Sequence, residues 1–279
     1  MPQPESSVQP LATPDAAASP AAPAAAWHSL LHWLVGWWRV IHLGAVLVVL
    51  ALSPSSYARR WWPALARQIV RGTLPMVLWF TLLAAFVSVV LIRIVMVTAV
   101  SYGLSSYALE MVVRVLVLEL IPLAAALFVT VHYSLPQGAE LVGHRRRARL
   151  TPRAMLTRPQ LLGELLPRFV AGAFAVVTLA WVSCVVALVL AYLATHGFTP
   201  WALAGYTRSV GQVFDPVVSL IFVLKTLFFS LTVALIPVAS AVHDAPEGSS
   251  RTRVELRALV RMFTLLLLIE LASLVGNYV

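Results

Sequence analysis

Residues 169–195, FVAGAFAVVTLAWVSCVVALVLAYLAT, hold no charged side chain. About 20 apolar residues carry a helix across the ~30 Å hydrocarbon core of a bilayer. This stretch is long enough, and it is the cleanest of five such segments, with approximate bounds 74–98, 108–134, 168–195, 216–242 and 259–278. The other four each carry at least one charge. The whole chain agrees with that reading. It has 279 residues, 60% hydrophobic and 11% charged, with mean hydropathy +0.88. Soluble domains run nearer half apolar and a quarter charged, so an ordinary cytosolic enzyme, a disordered protein and a coiled coil are excluded. The expected fold class is an all-α integral membrane protein.

The connections set the orientation. Lys+Arg number 20 against 11 Asp+Glu, a net charge of +9. The cations are almost all arginine, and they gather in alternate connections. Arg59, Arg60, Arg67 and Arg71 precede the first span. The 99–107 turn has no Lys or Arg, whereas the 135–167 loop has Arg145, Arg146, Arg147, Arg149, Arg153 and Arg158. The 196–215 loop has only Arg208, and the 243–258 loop has Arg251, Arg253 and Arg257. Cytoplasmic loops concentrate Lys and Arg. The expected protein is therefore multi-pass, with its N-terminus on the cytoplasmic side and its C-terminus outside. The same pattern accounts for the Arg run at 145–149, so no nucleic-acid partner is expected.

Residues 1–26 are Pro, Ala and Ser with two acids and no cation, which reads as a disordered cytoplasmic tail. Residues 27–53 crowd Trp27, Trp33, Trp37 and Trp38 at one end. Tryptophan favours the headgroup layer, so an N-terminal interfacial helix is expected there. The single cysteine, Cys184, excludes an internal disulfide framework. His132, His144, Glu140 and His243 are the inner-face candidates for catalysis and form no motif; no metal site and no cofactor are expected. The sequence has no Gly-rich phosphate loop, nucleophile elbow or His-Glu zinc motif. The chain is therefore read as no enzyme, and any ATP hydrolysis must come from a separate subunit.

A charge at membrane depth costs about 2.5–3.5 kcal/mol on insertion scales. Glu110 and Arg114 are spaced to pair along one helix, and Arg93 can snorkel to the headgroups. Glu119 lies deeper, just ahead of Pro122, whose missing N–H frees the carbonyl of Leu118. Lys225 is the only lysine and sits mid-span, as does Glu270. These charges are expected to form one buried polar cluster. The cluster either fixes helix packing or borders a substrate path.

Several motifs, in order, resemble the MlaE/YrbE permease family, the membrane subunits of ABC transporters that work with MCE-domain proteins on lipids. Arg67-Gln68 resembles the family's Arg-Gln pair. Leu118-Glu119-Leu120-Ile121-Pro122 is similar to its Arg-Glu-Leu-Gly-Pro, and Gly138-Ala139-Glu140-Leu141 to its Ala-Glu-aliphatic. Pro167-Arg168, Leu224-Lys225, and Arg257 followed by Glu270 complete the set, over roughly residues 57–279. The resemblance implies that residues 27–279 form a permease domain moving phospholipid or a similar lipid between the inner membrane and a periplasmic MCE partner. It implies a separate ABC ATPase, and a homodimer or a heterodimer with a second permease. Arg149, Leu150 and Arg153 occupy the ATPase-coupling position. Two departures stand out. Residues 128–133 replace a stretch rich in small residues, so looser or different packing is expected there. Ala148-Arg149-Leu150 replaces Glu-Gln-Ile/Leu. That second departure sustains an alternative: a non-transporting scaffold of the same fold, paired with a conventional permease.

Overall fold

The computed structural model describes residues 22–53, 62–147, 158–243 and 251–278. The described residues are helical almost throughout, without strands. The chain divides into two compact units, residues 1–38 and residues 39–279. Helix α1 (Ala22–Leu52) starts inside the stretch read as a tail; residues 1–21 lie outside the described residues. In the first unit, Val35 and Trp38 are exposed.

The larger unit is a helical bundle. Helix α2 runs from Trp62 to Ser101 without a break, joining the Arg-rich approach segment to the first span. The next span is assembled from α3 (Ser105–Val112), α4 (Ile121–Val129) and α5 (Leu135–Arg147). They are joined end to end by π-helical turns at Val113–Leu120 and Thr130–Ser134. A short α6 (Arg158–Gln160) and a third π-helical turn, Leu161–Leu165, lead into α7 (Leu166–His196). Then follow α8 (Leu203–Val213), α9 (Pro216–His243) and α10 (Arg251–Tyr278). Six stretches are long and apolar enough to cross a membrane. Five match the expected spans, and the sixth is Val35–Leu52 in α1. Length and hydropathy thus permit a crossing where the tryptophan-rich sequence indicates an interfacial helix.

Helix α2 shows which solvent the bundle is built for. Its buried stripe recurs every four residues, at Gly72, Met76, Phe80, Ala84, Ser88 and Ile92. The opposite face is equally apolar, with Leu78 73% and Phe86 70% exposed. A helix apolar on all sides and uncovered on one suits lipid, not water. The buried stripe packs on α7; α7 packs on α9, and α9 on α10 and α5. Small residues permit the close approaches. Gly138 of α5 faces Pro237 of α9, where an added Cβ would lie 3.1 Å from the Pro237 carbonyl oxygen. Gly103 ends α2 at φ 71°. The Leu104 N–H closes on the Ala99 carbonyl at 2.8 Å and the Gly103 N–H on Val100 at 3.1 Å, a Schellman end.

Each π-helical turn precedes a proline by two residues: Pro122, Pro136 and Pro167. In each case the intervening residue donates five residues back, Ile121 to Leu116, Leu135 to Thr130 and Leu166 to Leu161. The cause is steric. A proline ring inside a helix meets the carbonyl four residues earlier and supplies no N–H. Widening the preceding turn relieves the clash.

Candidate functional site

Among the described residues, two polar clusters stand out in the apolar bundle. One lies away from the arginine-rich connections. The π-helical turn carries Glu119 on the 105–147 helix, α9 brings Lys225 and α10 brings Glu270. The Lys225 ammonium contacts a Glu119 carboxylate oxygen, and its Nζ stands 2.8 Å from Glu270 Oε2. Nζ also donates to the Leu118 carbonyl at 3.4 Å, the carbonyl that Pro122 frees. Phe229, one turn along α9, presents its ring 5.8 Å from the ammonium. Lys225 is 2% exposed, while the Glu119 and Glu270 side chains are 15% and 14% exposed. The cation is thus enclosed and the carboxylates border accessible space. Beside them, between α9 and α10, lies an almost wholly apolar cavity of about 350 Å³, lined by Leu224, Phe228, Leu268, Ala272 and Lys225.

The second cluster lies near the arginine-rich end and is built on Gln137. Its Oε1 accepts from Gln68 Nε2 and from Arg168 Nε, both at 3.0 Å. Its own Nε2 donates to Glu140 at 3.4 Å. Gln68 also donates to the Tyr133 hydroxyl at 3.1 Å. The Tyr133 ring has room because α2 has glycine opposite it; a Cβ on Gly72 would lie 2.6 Å from the ring. The bulky Tyr133 side chain is thus accommodated in a π-helical turn against a glycine. These side chains line a cleft of about 800 Å³ with Arg71, Met76, Trp79, Leu83 and Phe128.

The structure brings Glu119, Lys225 and Glu270 together, with Pro122 one turn beyond. Glu110 and Arg114 pair at 3.0 Å, as their spacing predicts. Arg93 is exposed. Arg149, Leu150 and Arg153 lie outside the described residues. His132 stacks on Phe128 and bonds its own helix through Nδ1 to the Phe128 carbonyl. Among the described residues, no three His, Cys, Asp or Glu side chains converge as metal ligands. Sequence reasoning missed Gln137 and Tyr133, which hold the second cluster together. On the connection between α7 and α9, Tyr206 is buried and donates to the Leu188 carbonyl at 2.7 Å. Burial pushes its phenol up to about 12.

Six of the residues quoted for the resemblance fall in these two clusters, while Arg67 and Arg257 are exposed and belong to neither. Glu119, Lys225 and Glu270 make one, while Gln68, Glu140 and Arg168 contribute to the other. Residues 65–275 match the profile of the family described as Permease MlaE. No curated protein matches the chain.

Proposed function

Because the chain belongs to the MlaE permease family, we propose that it is the permease subunit of an ABC-type transporter. On this reading it moves phospholipid or a similar lipid between the inner membrane and a periplasmic MCE-domain partner. The observation that carries the reading is the buried Glu119–Lys225–Glu270 cluster, whose Lys225 lines an apolar cavity between α9 and α10. Acyl chains need an apolar space, and intramembrane charge that faces such a space marks a substrate path by default. The mechanism is physical, not covalent. Two copies, or this chain and a second permease, enclose the cavity between them. Closure driven by a separate ATPase then expels the lipid toward the MCE partner.

Energy arrives through the cytoplasmic surface, because the sequence has no nucleotide-binding motif. The coupling position, Arg149, Leu150 and Arg153, faces the cytoplasm in this orientation, and the C-terminus faces the periplasm. The test is reconstitution with the co-purifying ATPase and MCE protein, following ATP-dependent transfer of fluorescent phosphatidylethanolamine to acceptor vesicles. Transfer that needs ATP and is lost in Lys225→Met supports the reading. A complex that assembles yet transfers nothing, with wild-type sequence, favours the scaffold alternative that Ala148-Arg149-Leu150 sustains.

A further inference from the structure

The cleft near the arginine-rich end has an unbalanced inventory of hydrogen-bonding groups. Gln137 Oε1 is already used twice, by Gln68 and by Arg168. Gln68 Nε2 spends its hydrogens on Gln137 and Tyr133. Donors are left over. Arg168 Nη1 is buried with no hydrogen-bond partner. Tyr133 accepts from Gln68, which leaves its own proton to donate. Among the described residues, neither Arg71 nor Arg168 is ion-paired with a carboxylate. The lining holds two guanidinium groups against one carboxylate, Glu140. A buried guanidinium N–H without an acceptor is costly, and an anion oxygen satisfies it.

The cleft is also graded along α2. Gln68 and Arg71 lie at the polar end, whereas Trp79 and Leu83 continue the wall toward mid-membrane. From Arg71 to Leu83 the helix rises roughly 18 Å at 1.5 Å per residue. A polar floor with an apolar wall of that height suits a headgroup with an acyl chain attached. The volume, about 800 Å³, is typical of a ligand site.

We infer that this cleft binds the phosphate-bearing headgroup of an anionic lipid. Arg168 and Arg71 hold the phosphate, Tyr133 donates a further hydrogen bond, and the acyl chain lies along Trp79 and Leu83. The site is separate from the Glu119–Lys225–Glu270 cluster and lies at the level where a lipid of the arginine-rich leaflet presents its headgroup. The inference rests on the lipid-transport reading for the class of its ligand.

The test uses the full chain in detergent, without ATP or partners. Phosphatidylglycerol brominated in one acyl chain is titrated in, and quenching of Trp79 is followed as the difference between the parent and Trp79→Phe. Saturable quenching of Trp79 is expected. Arg168→Gln weakens it about tenfold or more, the size of one lost charge-assisted hydrogen bond. Arg168→Lys, which keeps charge without the guanidinium fork, gives an intermediate loss. Arg253→Gln, an exposed arginine outside the cleft, leaves affinity unchanged. Unaltered quenching in a helical, monodisperse Arg168→Gln overturns the inference. Inorganic phosphate and unlabelled phosphatidylglycerol are the competitors; if phosphate displaces the probe equally well, the ligand is a soluble phosphate and the lipid assignment is wrong. No saturable quenching in the parent chain, with ATP-driven transfer intact, sinks this site alone. Intact binding without such transfer sinks the transport reading alone.

Discussion

Lys225→Met tests the buried cluster directly. Lys225 is 2% exposed and faces two carboxylates from two other helices. Methionine keeps the unbranched chain but removes the charge, leaving Glu119 and Glu270 side by side without their cation. Breaking a buried pair by removing one partner costs about 3–5 kcal/mol, and the same-sign neighbours place this case at the upper end. Glu270→Gln should cost less. It keeps the Lys225–Glu119 contact and forfeits one charge-assisted bond, about 1.5–3 kcal/mol. Replacing all three by Met, Gln and Gln should recover most of the loss, because a neutral set leaves no unpaired charge. The assay is equilibrium unfolding from mixed micelles into SDS, followed by tryptophan fluorescence and arranged as double-mutant cycles. The reasoning fails if Lys225→Met costs under about 1 kcal/mol. It also fails if neither Glu119→Gln nor Glu270→Gln recovers stability in the Lys225→Met background.

Gly138→Ala forces its new Cβ against the Pro237 backbone and should cost about 1–3 kcal/mol. Gly143→Ala, where only the Arg147 side chain comes within 4 Å, should be near neutral in the same unfolding assay. For orientation, single cysteines in a Cys184→Ser background should label from the periplasm at positions 103 and 201 and not at 149; periplasmic labelling of 149 reverses the topology. Leu150→Asp with Arg149→Glu should abolish ATPase co-purification while membrane insertion survives, since Arg145, Arg146 and Arg147 remain; full retention of the ATPase removes the coupling role. Tyr206 ionises near 12 instead of the ordinary ~10, so its raised pKa contributes stability below pH ~10 that is lost as pH rises toward 12. Tyr206→Phe should therefore remove about 1 kcal/mol at pH 8 and less near pH 12, measured by unfolding at both.

The sequence exposed the Glu119, Lys225 and Glu270 cluster because charge inside a span is expensive and therefore sparse. With so few charges at depth, pairing was nearly forced. The Gln137 cluster was hidden for the opposite reason. Gln68, Gln137, Glu140 and Arg168 sit toward helix ends, where polar side chains are common and each is explained by nearby water or headgroups. Only the fold, which brings the start of α2 and of α7 to Gln137 on α5, shows that they meet. Gly72 gave no signal by itself, since its meaning depends on the Tyr133 ring some sixty residues away. Hydropathy bounds the apolar span, not the helix that carries it. The arginines at 67 and 71 mark where apolar character begins, but they do not stop a helix, and α2 starts at Trp62.

Proline placement connects the two clusters. Pro122 and Pro136 both lie on the 105–147 helix, each just beyond a widened turn. The first turn carries Glu119 and ends by freeing a carbonyl that Lys225 uses. The second carries Tyr133, which points into the other cleft. A regular α-helix would satisfy its own backbone at both places and offer nothing there but side chains. A widened turn leaves a polar group that another helix must satisfy, and α9 does so at Leu118. The cost of interrupting the helix is thus offset by the same contact that fixes the position of the buried lysine. Pro167 applies the same device at the start of α7, one residue before Arg168. Three prolines therefore govern the backbone at the places where this otherwise apolar bundle displays its polar chemistry, and they do so on the two helices that, with α2, line the cleft proposed for the lipid headgroup.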